Sequence, residues 1–256
     1  LIDPRAVVDP GAKIAGDVEV GPFAVIGAGV TIGAGSWIGP HAVVKGLTVL
    51  GRNTRVFQFA SIGDAPQDRK YAGEPTRLVV GDRNVFREFC SINRGTVGGR
   101  GETTIADDCL FMAYSHVAHD CIVGSQCIMS NCTALAGHVE LGDWVILSGY
   151  AGVHQYCKIG AHTFLANNAA VTRDVPPYLL VAGSPAEPKG VNSEGLKRRG
   201  FDAAMISNIK NAYRILYRSG LKLAEATEQL RALVSSQPEL APFVDFLAAS
   251  ERSIIR

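Results

Sequence analysis

Aliphatic side chains recur along this chain at every sixth position. The first run is Ile2, Val8, Ile14, Val20, Ile26, Ile32, Ile38, Val44, Leu50, Val56 and Ile62. A short second run holds Val80, Phe86 and Ile92. A third continues from Ile105 through Phe111, Val117, Val123, Met129, Leu135, Leu141, Leu147, Val153, Ile159 and Leu165 to Val171. A period of six does not match the period of about 3.6 of an amphipathic helix; it fits a short strand, a turn and another short strand. Such hexads stack into parallel β-helices, each unit burying its apolar side against its neighbours. Two places before each aliphatic residue stands a small or β-branched one, as at Ala24, Val30, Ser36, Ala42, Thr48, Thr54 and Ala60, and this position is expected to point into the narrow prism. Asn84 breaks that rule. Glycine often follows the aliphatic residue, as at Gly21, Gly33 and Gly142, where its conformational freedom is expected to permit the corner.

The pattern resembles the left-handed β-helix of hexapeptide acyltransferases, in which three hexads make one coil; the handedness is implied by that resemblance. Two stretches interrupt the count, Gly63 to Val79 and Gly98 to Thr104, and both are expected to leave the prism as loops, where function often resides. The repeat ends near Asp174, followed by the exit prolines Pro176, Pro177 and Pro185. Beyond them the period becomes helical. Asp202 is a candidate N-cap, and Met205, Ile209, Ala212 and Leu216 share one helix face. Leu223, Leu230 and Leu233 mark a second helix, and a third begins at Pro238 with Leu240, Phe243, Val244 and Leu247. The fold class is therefore mainly β. A left-handed parallel β-helix is expected over residues 1–186, with excursion loops at 63–79 and 98–104, and a C-terminal α-helical domain over 187–256 that caps the open end of the stack.

The chain has 256 residues and a formal net charge of +1, which argues against nucleic acid as a partner. It has no apolar run long enough for an integral membrane segment. It opens without an initiator Met and without the basic and apolar regions of a signal peptide. The natural chain is thus expected to begin a residue or two earlier and to work in the cytoplasm. Cys90, Cys109, Cys121, Cys127 and Cys157, all of the cysteines except Cys132, stand at the small inward position. They read as packing residues in a reducing compartment rather than as disulfides or a zinc site.

The coil turns sequence into a site. Residues three hexads apart lie above one another, separated by about 4.8 Å. His119, His138 and His154 then fall in one column, with Gly137 directly above His119, Gln155 above Gly137, and His116 at the adjacent corner. Asp120 follows His119, and a histidine beside a carboxylate can serve as a general base. Imidazole is also the common ligand of zinc. The hexapeptide-fold carbonic anhydrases, however, space their histidines differently from His116 and His119, and no metal is expected. His41 and His162 lie elsewhere and read as structural.

Several longer segments carry a closer resemblance. They are His116-Val117-Ala118-His119-Asp120-Cys121, Leu135-Ala136-Gly137-His138, Val153-His154-Gln155, the loop from Gln67 to Arg77, the stretch Ile92-Asn93-Arg94-Gly95-Thr96-Val97, and Asn192 to Gly200. Together they resemble the UDP-N-acetylglucosamine O-acyltransferases, the first enzymes of lipid A synthesis, over essentially the whole chain. That resemblance implies an acyl-carrier-protein-dependent enzyme without a cofactor. His119 would deprotonate the glucosamine 3-hydroxyl, Asp120 would orient the imidazole, and the backbone N–H of Gly137 would receive the oxyanion. Gln67, His116, His138, His154 and Gln155 would bind the sugar nucleotide UDP-N-acetylglucosamine, with Asn192, Glu194, Arg198 and Arg199 toward the nucleotide. Asp68 and Lys70 would hold substrate from the neighbouring subunit of a homotrimer, and Asn167 would occupy the position that limits acyl-chain length. Between Lys189 and Lys222 the charges are mostly basic, a surface suited to the acidic acyl carrier protein. Three rivals stand beside this reading. They are the N-acyltransferase of the same pathway, which carries an extra N-terminal domain, a zinc carbonic anhydrase, and a non-catalytic scaffold.

Overall fold

Strand pairing in the computed structural model, which describes residues 1–250 and 253–256, follows the hexad count. Most strands are only two residues long, and each pairs in parallel with the strand one coil away. Three sheets of nine, eight and ten strands form the faces of a prism. On the first face Ser91 pairs with His116, His116 with Ala134, Ala134 with Gly152 and Gly152 with Ala170. The hexad aliphatics fill the interior, with Ile26, Ile62, Phe86, Phe111, Met129 and Leu147 fully buried, and burial of such side chains stabilises by about 1.5–3 kcal/mol each. The small positions point inward as expected, and Cys90, Cys109, Cys121, Cys127 and Cys157 are buried while Cys132 is half-buried. Asn84 is also fully buried. Its amide nitrogen donates to the carbonyl of Ala106 and its oxygen accepts from the N–H of Cys109, so the odd polar residue ties two coils together.

The glycine expectation is corrected. Gly21, Gly33 and Gly142 do not have positive φ; the left-handed conformation falls at the second corner residue, carried by Phe23, His41, Phe59, His138, Trp144 and others near φ 60°. The glycines are required by space instead. A Cβ on Gly33 would lie 2.7 Å from the Gly51 carbonyl carbon, and one on Gly142 would lie 2.7 Å from the Ala161 nitrogen, because successive coils stack backbone on backbone.

Both excursions are shorter than the hexad count suggests. Arg77–Val80 is a strand paired with Leu47–Leu50, and Glu102–Ile105 pairs with Arg77–Val80, because the second face needs those ladder bonds. The loops proper run over 65–76 and 94–101. They leave the prism at the same corner, between the first and second faces. At the far end Leu179–Ala182 and Glu187–Val191 form an antiparallel hairpin on the third face, so residue 186 falls inside a supersecondary unit rather than at a break.

Among the described residues four α-helices follow: α1 (Ser193–Arg198), α2 (Ala203–Arg218), α3 (Leu223–Leu233) and α4 (Ala241–Ala249). Asp202 caps α2 by accepting from the Met205 N–H. Ile209, Ala212 and Leu216 are buried against the hairpin and the later helices, with Leu230, Leu240 and Phe243 completing that core. The short α1, capped by Asn192, is not signalled by any apolar period. Among the described residues no helix is long and apolar enough to cross a membrane.

Candidate active site

The corner between the first and second faces gathers the chemistry. Rising along it are the loops 65–76 and 94–101, then His119 with Asp120, Gly137 with His138, and Gln155 with Tyr156. Asp120 is completely buried. Its carboxylate accepts from the Thr96 N–H at 3.1 Å, the Thr96 hydroxyl at 2.6 Å, the Arg100 N–H at 2.9 Å and His119 Nδ1 at 2.8 Å. Its own N–H is held by Thr103 Oγ1 at 2.8 Å. Burial pushes this carboxyl upward, but the bonds from Thr96 and His119 outweigh it and hold the group below its ordinary value. An ionised carboxylate only accepts, so His119 carries its proton on Nδ1 and leaves Nε2 free to take another.

Gly137 lies against that imidazole. A Cβ there would approach His119 Nε2 to 2.8 Å, so only glycine fits with the ring in place. Among the described residues the Gly137 N–H has no acceptor within the chain. His138 stands edge-on to His119, with ring centroids 5.2 Å apart, and stacks on Tyr156 at 4.3 Å. Burial lowers the pKa of His138, against the pull of Asp120. His116 Nδ1 is 2.7 Å from the Ser91 hydroxyl, and burial lowers its pKa as well. Donor atoms of His119, Asp120 and His138 come within 4.8 Å of one another, close enough to share a cation. Asp120 is nevertheless saturated by four donors, and a metal would have to displace them.

A cleft of about 590 Å³ opens on the first face beside this group. Gln67, His116, His119, Gly137 and His154 supply its polar lining. The rest is an apolar trough floored by Ala118, Ala134, Ala136, Gly152 and Ala170. The trough exists because the outward residues of these strands are small. From the coil of His116 to that of Ala170 is three coil steps, about 14 Å, the reach of roughly ten to twelve extended methylenes. A smaller space of about 140 Å³ on the other side of the corner is lined by Asp68, Lys70, Tyr71, Thr96, His138 and Tyr156.

The structure therefore brings together His116, His119, Asp120, Gly137, His138, His154, Gln67, Asp68 and Lys70. Asp68 and Lys70 face a space that they share with His138 and Tyr156 of their own chain. Gln155 is exposed at the corner above Gly137. Asn192, Glu194 and Arg198 lie apart, around a cavity of about 360 Å³ on the third face with Ile146, Phe164 and Leu180. Asn192 commits its amide within the chain, accepting from the Gly195 N–H and donating to the His162 carbonyl. Arg199 lies elsewhere in the single chain. Its guanidinium packs over Trp144 and bonds His162 Nδ1 at 3.3 Å, away from that cavity, because the corner aromatics offer it a flat face. Burial and that guanidinium together push His162 down to about 4. Asn167 is exposed at the corner that leads into the Ala170 strand, level with the top of the trough. Thr96, Arg100, Ser91 and the alanine floor went unrecognised in the sequence. Thr96 lay within the 92–97 segment that carried the resemblance, without a role of its own.

Residues 174–255 match the family model described as UDP-N-acetylglucosamine O-acyltransferase, domain 2, and residues 1–34 match the model for six bacterial transferase hexapeptide repeats. The chain is 55% identical over 256 residues to the acyl-[acyl-carrier-protein]–UDP-N-acetylglucosamine O-acyltransferase of Stenotrophomonas maltophilia (strain R551-3), covering 100% of this chain and 97% of that one. It is 52% identical over 256 residues to the enzyme of the same name from Stutzerimonas stutzeri (strain A1501), covering 100% and 99%. The solved structure of LpxA from Acinetobacter baumannii is similar with a TM-score of 0.98 at 43% identity, covering 100% of both chains. With identities of this size over its full length, the chain belongs to the acyl-[acyl-carrier-protein]–UDP-N-acetylglucosamine O-acyltransferase family.

Proposed function

We propose that this chain transfers an (R)-3-hydroxyacyl group from acyl carrier protein to the 3-hydroxyl of UDP-N-acetylglucosamine, the first step of lipid A synthesis, and does so in the cytoplasm as a homotrimer. The observation that carries the reading is the His119–Asp120 pair packed under Gly137 at the foot of an apolar trough. Nε2 of His119 takes the proton of the sugar hydroxyl as its oxygen attacks the thioester carbonyl. Asp120 stabilises the imidazolium that forms. The tetrahedral oxyanion receives the Gly137 N–H, a donor already in place and therefore free of reorganisation cost. Collapse expels the carrier thiolate, and His119 returns its proton to the sulfur. His116, His138, His154, Gln155, Gln67, Asp68 and Lys70 hold the sugar and its phosphates, and the acyl chain runs up the trough toward the level of Asn167.

Two features support the trimer. The third face carries a half-buried apolar column, Val85, Leu110, Ile128, Ile146, Phe164 and Leu180, suited to packing against another prism. The trough is open to one side, and Asn192, Glu194 and Arg198 sit on that third face, so a neighbour's third face laid on the first face would close the cleft and add the nucleotide-side residues. At the corner between those two faces Phe23, His41, Phe59, Phe89 and Tyr114 stack ring on ring in the open. The test is to incubate the protein with UDP-N-acetylglucosamine and a panel of hydroxyacyl carrier proteins and to read product masses. A monoacylated sugar nucleotide is expected, and its absence with every donor would refute the reading.

A further inference from the structure

The loop 65–76 carries Gln67 into the cleft and Asp68 and Lys70 into the adjoining space, and beyond its buried ends at Pro66 and Thr76 few bonds tie it to the prism. Within the loop the bonds are local: Lys70 N–H to Asp68 Oδ1 at 2.9 Å, Tyr71 N–H to the Asp68 carbonyl at 3.1 Å, and Ala72 N–H to Glu74 Oε2 at 2.9 Å. They stiffen the loop without attaching it. Among the described residues, one hydrogen bond ties the loop interior to the rest of the chain. Arg94 Nη2 donates to the Tyr71 hydroxyl at 2.7 Å, and that hydroxyl donates in turn to the Glu74 carbonyl at 2.8 Å. The other arm of the fork, Nη1, donates to the Gly63 carbonyl at 2.7 Å, and the Arg94 N–H bonds the Asp64 carbonyl at 3.1 Å, both where the loop departs. The guanidinium also faces the Tyr71 ring at 5.8 Å. Two coils below, Gly46 leaves the room that Arg94 occupies, since a Cβ there would overlap the guanidinium and its stem.

We propose that Arg94 is a positioning residue for the sugar-nucleotide site, pinning the departure and the middle of the 65–76 loop so that Gln67 stays against the cleft and Lys70 against the adjoining space. A planar fork is required, because two acceptors in different directions must be met by one rigid group. The kinetic part of the proposal rests on the function proposed above; the tether itself does not. Arg69 and Lys70 are exposed on the loop and give trypsin a built-in reporter of its release.

The experiment compares the full chain with Arg94→Lys, Tyr71→Phe and the double variant. For Arg94→Lys, loss of one charge-assisted bond should raise KM for UDP-N-acetylglucosamine about tenfold and speed tryptic cutting after Arg69 or Lys70 about tenfold, with kcat held within about threefold. The melting temperature should stay within about 2 °C, since the bond holds a loop rather than the stacked core. Tyr71→Phe should move both readouts the same way, and the double variant should be no worse than Arg94→Lys, because the two side chains act through one bond. Unchanged cutting would overturn the tether. Faster cutting with unchanged KM would overturn the positioning role. A fall in melting temperature with faster cutting throughout the prism would make Arg94 merely structural and overturn it too. Were the parent inactive in transfer, the function proposed above would fail while the cutting rates still decided the tether.

Discussion

Replacing Asp120 by Asn tests the buried carboxylate, because the change keeps its shape and removes its charge. Four donors converge on Asp120, from Thr96 twice, from Arg100 and from His119. An amide offers one oxygen to them and turns an NH₂ toward the rest. At least one buried donor is then left without a partner, at a cost of about 1–3 kcal/mol. The 94–101 loop should loosen, and the melting temperature should fall accordingly. His119 loses the acceptor that fixes its proton on Nδ1, and its imidazolium loses a charge at 2.8 Å. The rate of acyl transfer should drop by about 10²–10⁴, the range set by general-base function. The pH dependence supplies an independent check. Asp120 is held below the ordinary carboxyl value of 3.8, so its contribution to stability is complete above that pH and is lost only as pH falls through the lower folded value. Asn has no such titration, and the difference in stability between parent and variant should shrink on acidification in that range. Steady-state transfer and thermal melts from neutral pH into acid would measure both effects. A variant with parental activity, or a stability gap that widens in acid, would refute the reasoning.

Asn167→Gly should widen acceptance toward longer donors. The parent is expected to prefer chains of about ten to twelve carbons over fourteen, since an unpartnered amide against methylenes costs about 1–3 kcal/mol. Competition between donors, read by product mass, decides it, and a parent that already favours fourteen carbons would remove Asn167 from that role. Charge reversal at Lys210, Arg214 and Arg218, exposed along α2, should raise KM for acyl carrier protein, and added salt should do the same to the parent. A KM indifferent to both would place carrier docking elsewhere.

The prism was legible in the sequence because each coil repeats one steric demand. The aliphatic hexads and the small inward residues are the same constraint met many times over, and a period survives individual exceptions such as Asn84. The column of His119, Gly137 and His154 followed from arithmetic on that period. What the period could not carry was anything set by non-repeating contacts. The glycines looked like conformational hinges, whereas coil-on-coil closeness requires them and left-handed φ falls on Phe23, His138 and their equivalents. Thr96 and Arg100 reach Asp120 only because an irregular loop folds back onto the corner. Arg199 matched a family segment by position, but its side chain found Trp144 and His162 instead. The trough is defined by what is missing, the bulk absent from Ala134, Gly152 and Ala170, and small residues in a chain already rich in them gave no warning.

The most direct test of the account is the transfer rate of His119→Ala, measured beside the parent with UDP-N-acetylglucosamine and its preferred hydroxyacyl carrier protein, with assembly checked by light scattering. Removal of the base from an otherwise intact assembly should lower the rate by about 10²–10⁴. Activity within about tenfold of the parent in a correctly assembled variant would contradict the assignment of His119 as the group that takes the hydroxyl proton.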